Sequence, residues 1–346
     1  MAATPGPASG PRRAEQFLDD ILAAPAELAA VIATQRAALS ALPVGLLGEL
    51  LARPRRRLFG MGSSRFAATD AAARWRLGGR DAVAETASAS GPTPGGPDTL
   101  AIAISSSGST AEVVAAARRH RAAGSHVLAL TSRLDAALAA EADTVLPLRA
   151  ARVETSGIAT MSYRATIAGL LTLDRDPALD AAVDLAPAAL QAVIGGRADW
   201  LTSAAAVLNT GREVHVLADG IHAGIAEQGA LMFREAPRIG ALWFDTGDWL
   251  HVGLYTMLPG DGVLLIGGSP ADADAISTIH ARGGRVVVVG PECDVADVWI
   301  PTNSIAAGST VTAALAATVV AELLAVAIWS EATPHDRGGR NVPPTR

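Results

Sequence analysis

Residues 98–117 read DTLAIAISSSGSTAEVVAAA, and this stretch decides the fold. The apolar run Leu100 to Ile104 breaks into Ser105-Ser106-Ser107, Gly108, Ser109 and Thr110, then into a helical pattern. That order predicts a strand, a tight turn and a helix N-terminus. The first N–H groups of a helix lack intrahelical partners and sit at the positive end of its dipole, so they attract an anion. Five hydroxyls add donors, and Gly108 lets backbone come close. The turn therefore reads as a phosphate seat formed by Ser105, Ser106, Ser107, Ser109 and Thr110; a serine-rich turn with a simple helix cap fits the same residues. It has no Walker pattern, which points to the phosphate of a small metabolite rather than to nucleotide phosphoryl transfer.

Working outward, the same order of signals occurs twice. In the first copy a strand over 57–60 leads into Gly62-Ser63-Ser64 and a helix through Leu77. Strands near 81–87, 100–104, 126–131 and 144–148 follow, with a helix after the serine turn. In the second, a strand over 213–218 leads into Asp219-Gly220 and a helix through Glu235, with strands near 239–244, 262–266, 285–289 and 298–301. Apolar strands without alternation, separated by helices, predict parallel sheets covered on both faces. Helices are expected at 14–42, 155–173, 187–208 and 310–328. The expected division is a disordered tail at 1–13, a first domain over 14–180, a second over 181–332, and a C-terminal tail over 333–346.

The two copies differ where chemistry would sit. The turn of the second copy that matches the serine loop is Gly267-Gly268-Ser269-Pro270-Ala271, with most hydroxyls gone. The first helix of copy one ends Arg74-Trp75-Arg76-Leu77, whereas its counterpart ends Met232-Phe233-Arg234-Glu235. Binding and acid–base chemistry thus divide between the halves.

Composition narrows the classes. The 346-residue chain is 50% hydrophobic, has a formal charge of −6 and contains one cysteine, Cys293. A single cysteine excludes an internal disulfide and a cysteine-rich zinc site, and suits a reducing, cytoplasmic setting. All 28 basic residues are arginine, so an internal lysine aldimine or Schiff base is excluded. The short cluster Arg53-Pro54-Arg55-Arg56-Arg57 runs straight into a strand, and nucleic acid is not expected as a partner. No secretory leader is read at the N-terminus and no run long enough to span a bilayer, so no membrane partner is expected. No spacing suggests metal ligands, and no cofactor is expected.

These residues resemble the tandem phosphosugar isomerase (SIS) domain family. Ser105-Ser106-Ser107-Gly108-Ser109-Thr110 is similar to its S-x-S-G-x-T turn, and Gly62-Ser63-Ser64 to its G-T-S turn. Gln228 to Glu235 is similar to its E-G-A-L-K-L-K-E helix, and Gly247-Asp248-Trp249-Leu250-His251 to its G-E-L-K-H segment, with the acid-to-histidine spacing kept. The resemblance covers roughly residues 15 to 330. It is greatest to the isomerase half of glucosamine-6-phosphate synthase, and extends to stand-alone aminosugar-phosphate deaminases and deglycases.

The resemblance implies two doubly wound α/β domains in tandem, each a three-layer α/β/α sandwich. It implies a sugar-phosphate substrate such as glucosamine 6-phosphate, bound by the serine turn with Gly62, Ser63, Ser64 and Thr160. It gives Glu235 the C1–C2 proton transfer and His251 ring opening, His251 being supplied across a homodimer. With no amidotransferase segment in this sequence, isomerisation or deamination is expected rather than ammonia transfer from glutamine. The residues agree in kind: a carboxylate beside Leu231 and Phe233 can rise toward neutrality, and a histidine titrates there. Met232 and Met161 stand where the family has lysines, and the family's C-terminal lysine has no counterpart in Gly338-Gly339-Arg340-Asn341-Val342-Pro343. A non-catalytic sugar-phosphate-binding or regulatory protein is therefore the alternative. His222 reads as a structural residue and Glu227 as a helix-surface acid.

Overall fold

The computed structural model describes residues 10–148, 154, 156–210, 212–302 and 309–331. Helices α1 (Gly10–Ser40) and α2 (Leu46–Ala52) lead into β1 (Arg55–Gly60), α3 (Ser63–Leu77), β2 (Asp81–Thr86) and β3 (Thr99–Ile104). Then come α4 (Ala111–Ala122), β4 (His126–Thr131), α5 (Ala137–Glu141) and β5 (Thr144–Pro147). Helices α6 (Met161–Leu173), α7 (Pro177–Gly195) and α8 (Leu201–Leu208) connect to the second half. That half runs β6 (Val214–Ala218), α9 (Ala223–Glu235), β7 (Ala241–Asp245), α10 (Thr246–Trp249), β8 (Gly262–Ile266), α11 (Asp272–Ala281), β9 (Arg285–Gly290), β10 (Val298–Pro301) and α12 (Thr310–Glu331).

The ten strands form two five-stranded parallel sheets, in the orders β2-β1-β3-β4-β5 and β7-β6-β8-β9-β10. Each sheet reverses direction once, between β1 and β3 and between β6 and β8. Such a reversal leaves a crevice at the carboxyl ends of the strands. Strand β3 shows why the run from Leu100 to Ile104 is uninterruptedly apolar. Leu100, Ile102 and Ile104 face one core with Leu58, Leu128 and Trp75, while Ala101 and Ala103 face another with Val113 and Val127. Both faces are dry, so the period-2 alternation of side chains leaves no polar position. The second sheet does the same, with Leu264 and Ile266 against one cluster and Val263 and Leu265 against another.

The halves join through one continuous core that includes residues of α1, α6, α7, α9 and α12. At the α3–α9 crossing, Gly224 approaches so closely that a methyl group there would collide with the carbonyl oxygen of Phe66. Between α6 and α12 a buried ion pair links Arg164 to Glu322, both at most 1% exposed.

Several sequence expectations change. Helix α1 starts at Gly10, so residues 10–13 are helix rather than tail; residues 1–9 and the tail from 332 onward lie outside the described residues. The second connecting helix begins at Pro177, not Pro187. Asp176 caps it by accepting from the N–H of Ala178 at 2.8 Å with Pro177 in the first turn, and Pro187 lies inside the helix. Helices α7 and α12 are long and apolar enough to cross a membrane by composition, contrary to the reading of the sequence. Most of α12 is a core helix instead: 89% of its most apolar window is buried, against α7, α9, α1 and α8. Glu227 is not a surface acid but is 3% exposed, pairing with Arg65 of α3 because α9 faces the other half. The arginine cluster is bound internally: Arg57 forks onto Asp81 at 2.9 and 2.7 Å, and Arg56 lies over Trp75 and pairs with Asp174.

Asp70 is buried in the α3–α9 contact and accepts from the N–H of Gly224 at 2.6 Å, while its Oδ2 has no partner. Burial pushes its pKa from 3.8 up to about 8. The folded chain therefore holds a proton there that the unfolded chain releases near pH 4. Stability from this group is complete below that pH and declines as pH rises toward 8. The Asp70→Asn variant should lose this slope and gain stability relative to wild type at pH 8, as read from urea unfolding at pH 5, 6.5 and 8.

Candidate active site

The serine turn lies where the sheet reversal predicts, beyond the end of β3. Ser105 is buried and organises the loop from within: its Oγ accepts from the N–H of Gly108 at 3.2 Å and lies 2.9 Å from Thr110 Oγ1. Gly108 has φ +64°, and a Cβ there would come within 2.7 Å of Ala136 and 2.8 Å of Thr131 Oγ1. This glycine thus meets both a left-handed backbone and a close approach. Ser106 Oγ lies 3.1 Å from Ser132 Oγ at the end of β4, and the hydroxyl of Ser109 donates to Ser107 Oγ at 3.1 Å.

A cavity of about 400 Å³ opens beside this loop. Its polar wall includes Ser106, Ser107, Ser132, Arg133, Glu154 and Ser162, and its apolar wall comes from α1 (Ala24, Leu28, Val31) with Leu148, Met161 and Ala165. A mostly apolar cleft with a few converging polar groups suits a small ligand. Arg133 brings a guanidinium to this wall; it also pairs with Asp135, both contacts being 3.0 Å. Glu154 is half-buried, and its carboxylate accepts from the N–H groups of Thr160 and Met161 at the start of α6. Burial raises its pKa, and this capping role explains its place without a catalytic one.

The sequence-derived residues separate by position. Ser106 and Ser107 line the cavity. Ser105 and Thr110 hold the loop's shape, and Ser109 is exposed beside Ser107. Gly62, Ser63 and Ser64 open α3 beyond β1, the neighbour of β3, without lining the cavity. Thr160 is fully buried and accepts from Arg164 Nη2 at 3.2 Å, one step behind the lining residues Ala159 and Met161.

Glu235 ends α9 outside the lining set. Its side chain is exposed, and partial desolvation against its neighbours raises its pKa, opposed by the pull of Arg13 first and Arg234 second. Arg13 in turn donates to the carbonyl of Ser156 at 3.1 Å, beside the lining residue Gly157. His251 follows α10 on the second half, exposed, and is not a lining residue. One chain thus assembles the serine loop, while Glu235 and His251 both stand outside the residues that line its cavity.

Reading the sequence passed over Ser132 and Arg133. Their signal is positional, since they follow β4, the strand beside β3, at the same end of the sheet. The α1 residues carried no local signal. Among the described residues, no group of three His, Cys, Asp or Glu is placed to hold a metal ion.

Replacing Gly108 with Ala should lower the thermal midpoint, since overpacking costs about 1–3 kcal/mol. The loop that carries Ser106 and Ser107 must then shift, which a change in the amide resonances of those two residues would report.

Residues 49–173 match the SIS domain model. The chain is 28% identical over 208 residues to the glutamine–fructose-6-phosphate aminotransferase (isomerizing) of Aeropyrum pernix, covering 56% of this chain and 34% of that protein. The same enzyme of Zymomonas mobilis is 28% identical over 211 residues, covering 56% and 34%. The chain spans about a third of the length of these relatives.

Among solved structures, tagatose-6-phosphate ketose/aldose isomerase from Escherichia coli superposes with a TM-score of 0.78 at 20% identity, covering 98% of this chain and 99% of that one. Glucosamine-6-phosphate deaminase from Thermotoga maritima gives 0.68 at 17%, covering 90% and 93%. The C-terminal domain of glucosamine-fructose-6-phosphate aminotransferase from Francisella tularensis gives 0.74 at 18%, covering 91% and 96%. At residues 49–173 the chain therefore carries a SIS domain, within a fold that it shares from end to end with a sugar-phosphate ketose/aldose isomerase.

Proposed function

We propose that the chain is a phosphosugar-metabolising enzyme, an aldose–ketose isomerase or deaminase acting on an aminosugar 6-phosphate, built from two SIS domains in tandem. The observation that carries this reading is the serine loop opening onto a cavity of about 400 Å³ at the carboxyl end of β3, with Ser106, Ser107 and Ser132 presenting hydroxyls to it. The phosphate sits on that loop, with Arg133 as a counter-charge. Glu235 is the base that moves the proton between C1 and C2, helped by a carboxyl whose pKa is already raised. The equal strand order of the two sheets supports the tandem arrangement, and the names of the relatives support the substrate class.

A turnover screen of fructose, glucose, glucosamine and galactosamine 6-phosphates tests it. Ketose formation or ammonia release should fall by about 10²–10⁴-fold in Glu235→Gln, the usual contribution of a positioned base. A second reading has its own support: Met161 places a thioether on the cavity wall where the resemblance puts a lysine. Tight binding without turnover, unchanged in Glu235→Gln, would select this sugar-phosphate-binding role.

His251, exposed and away from its own cavity, acts in a second copy of the chain in this proposal. Val252 and Tyr255, exposed apolar residues close to His251 in the chain, support a homodimer. Glu235→Gln and His251→Ala proteins should each be inactive. Mixed and reassociated, they should regain about a quarter of wild-type activity, the share expected for random pairing into twofold dimers. No recovery in mixed dimers verified by mass would overturn the shared site.

A further inference from the structure

The second half has a cavity of its own. It measures about 190 Å³ and lies at the carboxyl ends of β6, β8, β9 and β10, the counterpart of the first cavity's position. Arg74, Asp219, His222, Gly267, Thr302 and Thr310 are among its lining. Arg74 comes from α3 of the other half, so the site exists only when the halves are docked.

Its polar groups are arranged unlike those of the first cavity. At the turn after β8, the Asp272 carboxylate accepts from the N–H groups of Gly268 at 2.7 Å and Ser269 at 3.0 Å. An internal anion thus occupies the place where the serine loop leaves room for a phosphate. The positive end of this cavity lies elsewhere, at Arg74.

The Arg74 guanidinium sits 3.0 Å from His222 Nε2. Arginine only donates, so Nε2 accepts and the proton of the neutral ring is on Nδ1. That Nδ1 is buried with no hydrogen-bond partner, in a side chain 8% exposed. Burial first, then the charge of Arg74, pushes the His222 pKa down to about 4, so the ring is neutral at physiological pH. Among the described residues no carboxylate lies within ion-pair distance of Arg74. Its nearest acid by charge effect is Asp70, whose raised pKa leaves it largely protonated at neutrality. A partly desolvated cation with no carboxylate in ion-pair contact is costly, and a bound anion removes that cost.

We propose that this second cavity is a separate binding site for a small oxyanion-bearing metabolite, its carboxylate or phosphate on Arg74 and its hydroxyls within reach of Asp219. With about half the volume of the first cavity, it selects a ligand smaller than a hexose phosphate. The proposal is independent of any activity at the first cavity.

Malonate and glycerol 3-phosphate are the probes, one for each oxyanion. Each is titrated by calorimetry into wild type, Arg74→Met and the double variant Ser106→Ala/Ser107→Ala, the last with and without Arg74→Met. At least one probe should bind wild type and the serine-loop variant alike and lose tenfold or more in affinity with Arg74→Met. Binding by neither probe, or binding to the serine-loop variant that is absent or survives the addition of Arg74→Met, would overturn the site. Should Arg74→Met not fold, the imidazole nitrogen resonances of His222 in wild type decide it. They shift on adding a probe if the site is real and stay in place if it is not.

Discussion

A parallel sheet can be stable here only with both faces covered, and that constraint shapes everything else in the molecule. Strands such as β3 and β8 are buried at every residue, and from Leu100 to Ile104 and from Val263 to Ile266 they leave no polar position. Hydrogen-bonding chemistry is thereby confined to the strand ends, where helices begin with unpaired N–H groups. Two sheets of equal strand order give two such ends and two cavities, of about 400 and 190 Å³.

The two ends resolve the same electrostatic demand differently. After β3 the turn is built from hydroxyls, with Ser105 tying Thr110 and the N–H of Gly108 together and Ser106 and Ser107 left facing the cavity. After β8 the turn carries its own carboxylate, Asp272, on the amides of Gly268 and Ser269. A loop satisfied by neutral hydroxyls remains receptive to an external anion; one satisfied by an internal anion does not. One acid therefore accounts for the different electrostatics of two equivalent turns.

The contact between halves carries buried polar pairs beside its apolar core. Asp70, Arg65, Arg74, Glu227 and His222 all lie at or beside the α3–α9 crossing, and Arg164 meets Glu322 between α6 and α12. Removing one member of such a pair leaves the other buried and uncompensated, at a cost of about 3–5 kcal/mol. Helix α12 also lines the second cavity through Thr310, Ala313, Ala314 and Ala317, while Glu322 on the same helix holds Arg164, which lines the first.

Local sequence determined the strands, most of the helices, the doubled order and the serine turn, because each is set by neighbours in the chain: apolar runs, glycines and capping residues. It missed the start of α7, where Asp176-Pro177 was the better signal than Pro187, and the burial of Glu227. Only the tertiary structure decided which hydroxyls face the cavity and which brace the loop. It alone brought the apolar wall of α1 and Arg133 beside Ser106, and Arg74 to a cavity in the opposite half. Those pairings join residues far apart in the chain, and the packing of one helix against another fixes them, so no local pattern records them.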